Sequence, residues 1–216
     1  MARYPWIVCD IETMAHPDFQ QWMPLFKAAK NLKKPEVIAA ALEEKKLSWI
    51  QGIALEPDTC QVTCVGTGYP TDAPPGPVVV ADRGNWTEAE IIGAFWEQDY
   101  HQADLVIGFN ILGFDLPVLI QRSRELGVAY PKGIIQGRYK HDPKIVDLML
   151  EMTNGRPEDA YPLAWYCKRY GIDVADETTG ADAAEAGRNG DWETVRKHCF
   201  ADVEKTVALA RWLDVI

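Results

Sequence analysis

Apolar positions along the chain change period several times, and the changes divide it into predicted strands and helices. The stretch YPWIVCDIET, residues 4–13, is a short apolar run that ends in acidic residues, as a buried strand does when it terminates at a site. From Lys27 to Ile50 the sequence KAAKNLKKPEVIAAALEEKKLSWI predicts helix, broken at Pro35 and rich in good helix formers through Lys46. This reads as a helical insertion over residues 17–50. CQVTCVGTGYP and PVVVAD predict strands flanking the turn-rich YPTDAPPGP. In NWTEAEIIGAFWEQ, Thr87 and Glu90 have capping-box spacing before apolar residues at helical intervals. ADLVIGFN predicts a strand, and DLPVLIQRSRELG a helix with Pro117 in its first turn and Gly127 after its end. KIVDLMLEM fits a strand or a helix, YPLAWYCKRYG predicts a helix, and the acidic segment from Asp173 to Asp191 reads as a solvated, mobile loop. DWETVRKHCFADVEKTVALARWL closes the chain as a long helix.

Strands alternating with helices predict an α/β fold, a mixed sheet covered by helices on both faces, with ligands expected at strand ends. The 216 residues suit one domain over 1–216, and no internal repeat or linker interrupts it. No apolar run approaches the roughly 18 residues of a membrane span, so a cytoplasmic location without membrane partners is expected. The five cysteines are scattered, which predicts buried thiols, and the four histidines include no His-x-x-x-His pair, which argues against structural zinc. A formal charge of −10 argues against coating duplex nucleic acid by phosphate neutralisation. Carboxylates that hold divalent cations remain a route to a phosphate substrate.

Candidate chemistry lies in three places. On a strand, Asp10 and Glu12 project to one side about 7 Å apart, where like charges raise each other's pKa unless a cation lies between them. A solvated strand edge is the alternative. Asp115, in GFNILGFDLPVL, stands where a strand passes into a helix and is also suited to capping that helix. On the last helix, Trp192, Val195, Cys199, Val203, Val207 and Ala210 form the inward face, and His198 and Asp202 share its shoulder. The plain alternative is an i,i+4 surface pair. Taken together, Asp10, Glu12, Asp115 and Asp202 form an oxygen ligand set suited to Mg²⁺ or Mn²⁺. Two such ions about 3.5–4 Å apart can activate a water and stabilise the departing oxygen of a phosphodiester.

These motifs resemble the DEDD superfamily of 3′-5′ exonucleases, which has the ribonuclease H-like fold. Asp-x-Glu matches DIET, Asn followed by Phe-Asp matches NILGFD, and the motif on the last helix matches HCFADV. The likeness runs from Tyr4 to about Leu213 and is nearest to stand-alone exonucleases related to the proofreading domain of family B DNA polymerases. It implies that Asp10, Glu12, Asp115 and Asp202 hold two divalent metal ions, Mg²⁺ or Mn²⁺, with Asp10 bridging them. It implies that Thr13, Met14, Asn110 and Phe114 hold the terminal nucleotide. His198 would orient or deprotonate the attacking water. The superfamily has a Tyr-x-x-x-Asp branch and a branch usually spaced His-x-x-x-x-Asp; this chain has His-x-x-x-Asp in a setting like Tyr-Cys-x-x-Asp-Val. His198 therefore resembles a histidine at the tyrosine position, where an imidazole accepts a proton at neutral pH more readily than a phenol.

The expected activity is removal of nucleoside 5′-monophosphates from the 3′ end of single-stranded DNA. The alternatives are an exoribonuclease on the same scaffold and a non-catalytic protein that binds nucleic-acid ends. A replication or repair partner outside the chain is left open. Phe114, Trp22 and Trp49 are candidate stacking platforms, with core or helix packing the plainer role for each; the 17–50 segment is a flap or a simple packing insertion; and Asp147 is a strand-end carboxylate satisfied by backbone, or else a carboxylate supporting the site from behind.

Overall fold

A computed structural model describes residues 3–70, 78–137 and 140–216, so residues 71–77 of the predicted turn over 69–77 lie outside the described residues. Strand β1 (Ile7–Ala15) is followed by a 3₁₀ turn (Phe19–Trp22), helix α1 (Pro35–Gly52), a second turn (Ile53–Leu55), β2 (Cys60–Gly68) and β3 (Val78–Asp82). Helix α2 (Glu88–Ala94) runs through a π-helical turn (Phe95–Asp99) and a 3₁₀ turn (Tyr100–Gln102) into β4 (Val106–Gly108) and α3 (Asp115–Leu126). A small hairpin, β5 (Ile135–Gly137) and β6 (Lys140–His141), precedes β7 (Ile145–Asp147). Helices α4 (Leu148–Thr153), α5 (Leu163–Tyr170), α6 (Gly180–Asn189) and α7 (Trp192–Trp212) complete the chain. The main sheet has the order β3-β2-β1-β4-β7. The β1–β2 and β2–β3 pairs are antiparallel, and β1–β4 and β4–β7 are parallel.

Alternation along β1 decides which residues reach the site. Ile7, Cys9 and Ile11 join a core with Phe95, Trp96, Leu116 and Leu119, so α2 and α3 cover that face. Val8, in the opposite phase, packs with Ile107, Val203, Val207 and Leu209, so α7 lies on the other face. Asp10 and Glu12 share the phase of Val8 and turn toward α7. That helix approaches β2 closely because Gly66 lacks a side chain: a Cβ there would lie 2.8 Å from both the Cys199 sulfur and a Val203 methyl.

Several local expectations need correction. The helix expected over 27–34 does not form; the chain is irregular from Met23 to Lys34 and α1 begins with Pro35 at its first position. KIVDLMLEM divides into β7 and α4, with Asp147 as the N-cap, its carboxylate accepting from the Met149 amide at 3.0 Å. The solvated loop expected over 173–191 instead contains α6. Its capping box uses Thr179 and Asp182, and Ala183, Ala186 and Gly187 are buried. All five cysteines are buried free thiols. Among the described residues, no helix is long and apolar enough to cross a membrane.

The expected capping box of α2 is present on both sides, Thr87 accepting from the Glu90 amide and Glu90 accepting from the Thr87 amide at 2.8 Å. Thr87→Ala should cost about 1 kcal/mol, read as a lower urea midpoint with an unchanged denaturant slope. An unchanged midpoint would mean that packing alone holds this helix end.

Candidate active site

A β-bulge follows Glu12, shifting the β1–β2 register between Glu12 and Thr13. Such an irregularity re-aims side chains beside it, and here it follows the two carboxylates. Pairing of β1 with β4 covers only Ile7 and Val8. Further along, the Ile11 amide donates instead to the Asp115 carboxylate at 3.1 Å, which ties the start of α3 to β1. Asp115 is the first residue of α3, and Phe114, not Asp115, holds the cap position. The turn that carries it is held by Asp147, which accepts from the Asn110 amide at 2.9 Å and the Leu112 amide at 3.1 Å.

From α7, His198 and Asp202 face the same region. His198 Nε2 lies 3.7 Å from Glu12 Oε1 and 3.9 Å from Asp202 Oδ2. These distances exceed hydrogen-bond length, so the ring nitrogen faces the two carboxylates across a gap that a water can bridge. One set of donor atoms that all lie within 4.8 Å of one another belongs to Glu12, His198 and Asp202; a second belongs to Asp10, Glu12 and Cys199. Cys199 is a poor ligand, because a hydrogen bond with Cys64 and burial push its thiol far above the range in which it ionises. The donors that remain are carboxylate oxygens and one imidazole.

The electrostatics of the cluster fit a divalent cation. Burial, then the Asp115, Glu12 and Asp202 carboxylates, push Asp10 well above the usual carboxylate range. Burial and the carboxylates of Asp202, Asp115 and Asp176 do the same to Glu12, with Lys205 opposing them. Burial, with Asp147 and Asp202 adding to it and hydrogen bonds from the backbone opposing it, raises Asp115 to about 7. Protons compensate charge here where a cation would do so more strongly.

Two participants escaped the sequence reading. Asp176 Oδ2 lies 3.0 Å from His198 Nδ1 and 2.5 Å from Lys205 Nζ, and Lys205 also donates to Asp202 Oδ1 at 2.7 Å. Burial raises Asp176, but the donors Lys205 and Thr178 outweigh it and hold the carboxyl at about 2. Lys205 follows Asp202 by one helical turn, a spacing that invites an ion pair but does not reveal its second partner.

The four residues expected to hold the nucleotide divide among three places. Thr13 and Phe114 line a cavity of about 440 Å³ together with Glu12, the end of α1 at Ile50, the following Leu55, and Arg188 of α6. The Thr13 hydroxyl is already engaged, donating to the Ala54 carbonyl. Asn110, in a left-handed conformation at φ 61°, borders a separate cavity of about 680 Å³ with His141 and Arg156. Met14 packs beneath α6, where a Cβ on Gly187 would lie 3.4 Å from its sulfur. Trp49 packs against Phe19 and Phe26, and Trp22 against His16.

Residues 77–213 match the family described as predicted 3′-5′ exonuclease related to the exonuclease domain of PolB. No curated protein matches the sequence. Among solved structures, the family B DNA polymerase of the hyperthermophilic archaeon Pyrobaculum calidifontis superposes with a TM-score of 0.60 at 17% identity, over 96% of this chain and 24% of the polymerase. A product-bound exonuclease I gives a TM-score of 0.49 at 13% identity, over 99% of this chain and 44% of that one. The chain thus spans about a quarter of that polymerase and less than half of that exonuclease. The likeness is one of fold, and the fold is ribonuclease H-like, a five-stranded mixed sheet with helices on both faces.

Proposed function

Because the chain belongs to the family of predicted 3′-5′ exonucleases related to the exonuclease domain of PolB, we propose that it removes nucleoside 5′-monophosphates from the 3′ end of single-stranded DNA. The observation behind this reading is that Glu12 and Asp202 converge on the sheet face that Asp10 shares, with His198 Nε2 beside them, 3.7 Å from Glu12 Oε1 and 3.9 Å from Asp202 Oδ2. Asp10, Glu12, Asp115 and Asp202 would hold two divalent ions, Mg²⁺ or Mn²⁺. When bound, such ions supply an activated water and neutralise charge at the departing oxygen. His198 accepts the water's proton at Nε2, the ring nitrogen that faces Glu12 and Asp202.

The terminal nucleotide enters the cavity between Phe114 and the end of α1, its base against the Phe114 ring and the apolar wall of Ile50 and Leu55. A single strand suits this wall, because a base must leave its duplex stack to lie on it. Residues 17–50 are an insertion in one domain over 1–216, and the end of α1 walls the pocket. DNA is favoured over RNA through the family's relation to PolB.

The test is a gel assay of 5′-labelled single-stranded DNA and RNA of one sequence, with Mg²⁺, Mn²⁺ or EDTA. A ladder that shortens from the 3′ end on DNA, requires the metal and is weaker on RNA is the expected result. Equal or faster shortening of RNA would replace the substrate assignment, and no cleavage of either strand by metal-loaded protein would refute the catalytic reading.

A further inference from the structure

We propose that Asp176 is a positioning residue for His198: it accepts a hydrogen bond from Nδ1–H and thereby directs the Nε2 lone pair toward Glu12 and Asp202. This inference rests on the reading of His198 as the proton acceptor.

The hydrogen bonds around Asp176 fix one carboxylate oxygen against the ring of His198. Oδ1 accepts from the Thr178 amide at 3.0 Å and the Thr178 hydroxyl at 2.7 Å. Oδ2 accepts from Lys205 Nζ at 2.5 Å and lies 3.0 Å from His198 Nδ1. An unprotonated Nδ1 at that distance would set a lone pair against a carboxylate oxygen. The neutral ring therefore carries its proton on Nδ1, which leaves Nε2 free to accept one. The side chains of His198 and Asp176 are 7% and 6% exposed, so water does not readily take over either half of the contact.

The contact is also anchored on both sides. Lys205 Nζ joins Asp176 to Asp202 Oδ1, and so ties the segment before α6 to the residue one helical turn beyond His198. Thr178 Oγ1 lies 3.1 Å from His198 Nδ1, closing the other flank of the ring. The arrangement sets both the tautomer and the tilt of the imidazole, the role that an outer carboxylate commonly has for a working histidine. The bland alternative is that Asp176 only fastens its segment to α7. That alternative predicts no loss of kcat that depends on His198.

Two measurements separate these roles. The first is single-strand exonuclease kinetics of the native protein, Asp176→Asn, Asp176→Ala, His198→Ala and the Asp176→Asn/His198→Ala double variant. Asp176→Asn should lower kcat about 10- to 100-fold with KM within about threefold, and should cost less than about threefold when His198 is already alanine. The second is ¹H–¹⁵N long-range NMR of histidine-labelled protein without metal, with His198 assigned among the four histidines by its variant. When neutral, the native ring should carry its one proton on Nδ1, and Asp176→Ala should weaken that preference while keeping the remaining amide spectrum. A neutral native ring whose one proton sits on Nε2 overturns the inference. Equal kinetic losses from Asp176→Asn in both backgrounds overturn the positioning role alone. Full activity in His198→Ala overturns the base assignment, and the positioning role with it.

Discussion

Asp10→Asn is expected to slow mononucleotide release by about 10³-fold or more at saturating Mg²⁺, because it removes charge from one of the carboxylates proposed to hold the ions. The same variant should bind Mn²⁺ more weakly by calorimetry and still fold. Folding is expected because Asp10 lies among like charges: Asp115, Glu12 and Asp202 all push its proton affinity upward. An amide in its place relieves that repulsion. The combination of lost activity and retained or raised thermal stability distinguishes a ligand from a structural residue. A variant that keeps more than a tenth of native activity would remove Asp10 from the metal centre.

The second large effect is a stability that falls as pH rises when divalent metal is withheld. Carboxylates in an unfolded chain titrate near 4, whereas Asp10 and Glu12 are raised well above that range and Asp115 reaches about 7 in the folded protein. Between those values the folded state binds more protons than the unfolded state. Stability is therefore greatest below the unfolded value and declines as pH passes through the folded one. Asp115, raised to about 7, places the decline between about pH 4 and pH 7. Asp176 has the opposite sign: held at about 2, it contributes stability above about pH 4 that is lost only in stronger acid.

Melting in EDTA should accordingly show a Tm that decreases from pH 5.5 to 8. Added Mn²⁺ should restore it, with a larger gain at pH 8 than at pH 5.5, because the ion replaces protons already lost at the higher pH. Asp10→Asn should flatten the profile in EDTA. If the Tm in EDTA rose over this range, the cluster would not be the repulsive site described.

Much of this was legible in the sequence because its information is local. The apolar run that ends at Asp10 and Glu12 identified β1, and the 3.6-residue spacing of Val195, Cys199, Val203 and Val207 identified the buried face of α7. That spacing placed His198 and Asp202 on its shoulder, and three motifs in chain order identified the exonuclease superfamily and its fold. The helix over 180–189 was obscured by small residues, which carry little apolar signal although Ala183, Ala186 and Gly187 are buried.

What the sequence alone determined, then, was which residues share a strand, a helix face or a motif, because those relations depend on backbone period and on neighbours a few residues apart. Only the tertiary structure decided which groups complete the site. Asp176 reaches His198 across 22 positions and Lys205 across 29, and the Thr13 hydroxyl meets the Ala54 carbonyl across 41. Asn110 and Phe114, four residues apart in one motif, border different cavities because the left-handed turn at Asn110 divides them. No period in the sequence encodes such meetings. They follow from α6 and α7 closing over β1, and the absence of a side chain at Gly66 allows α7 to make that approach.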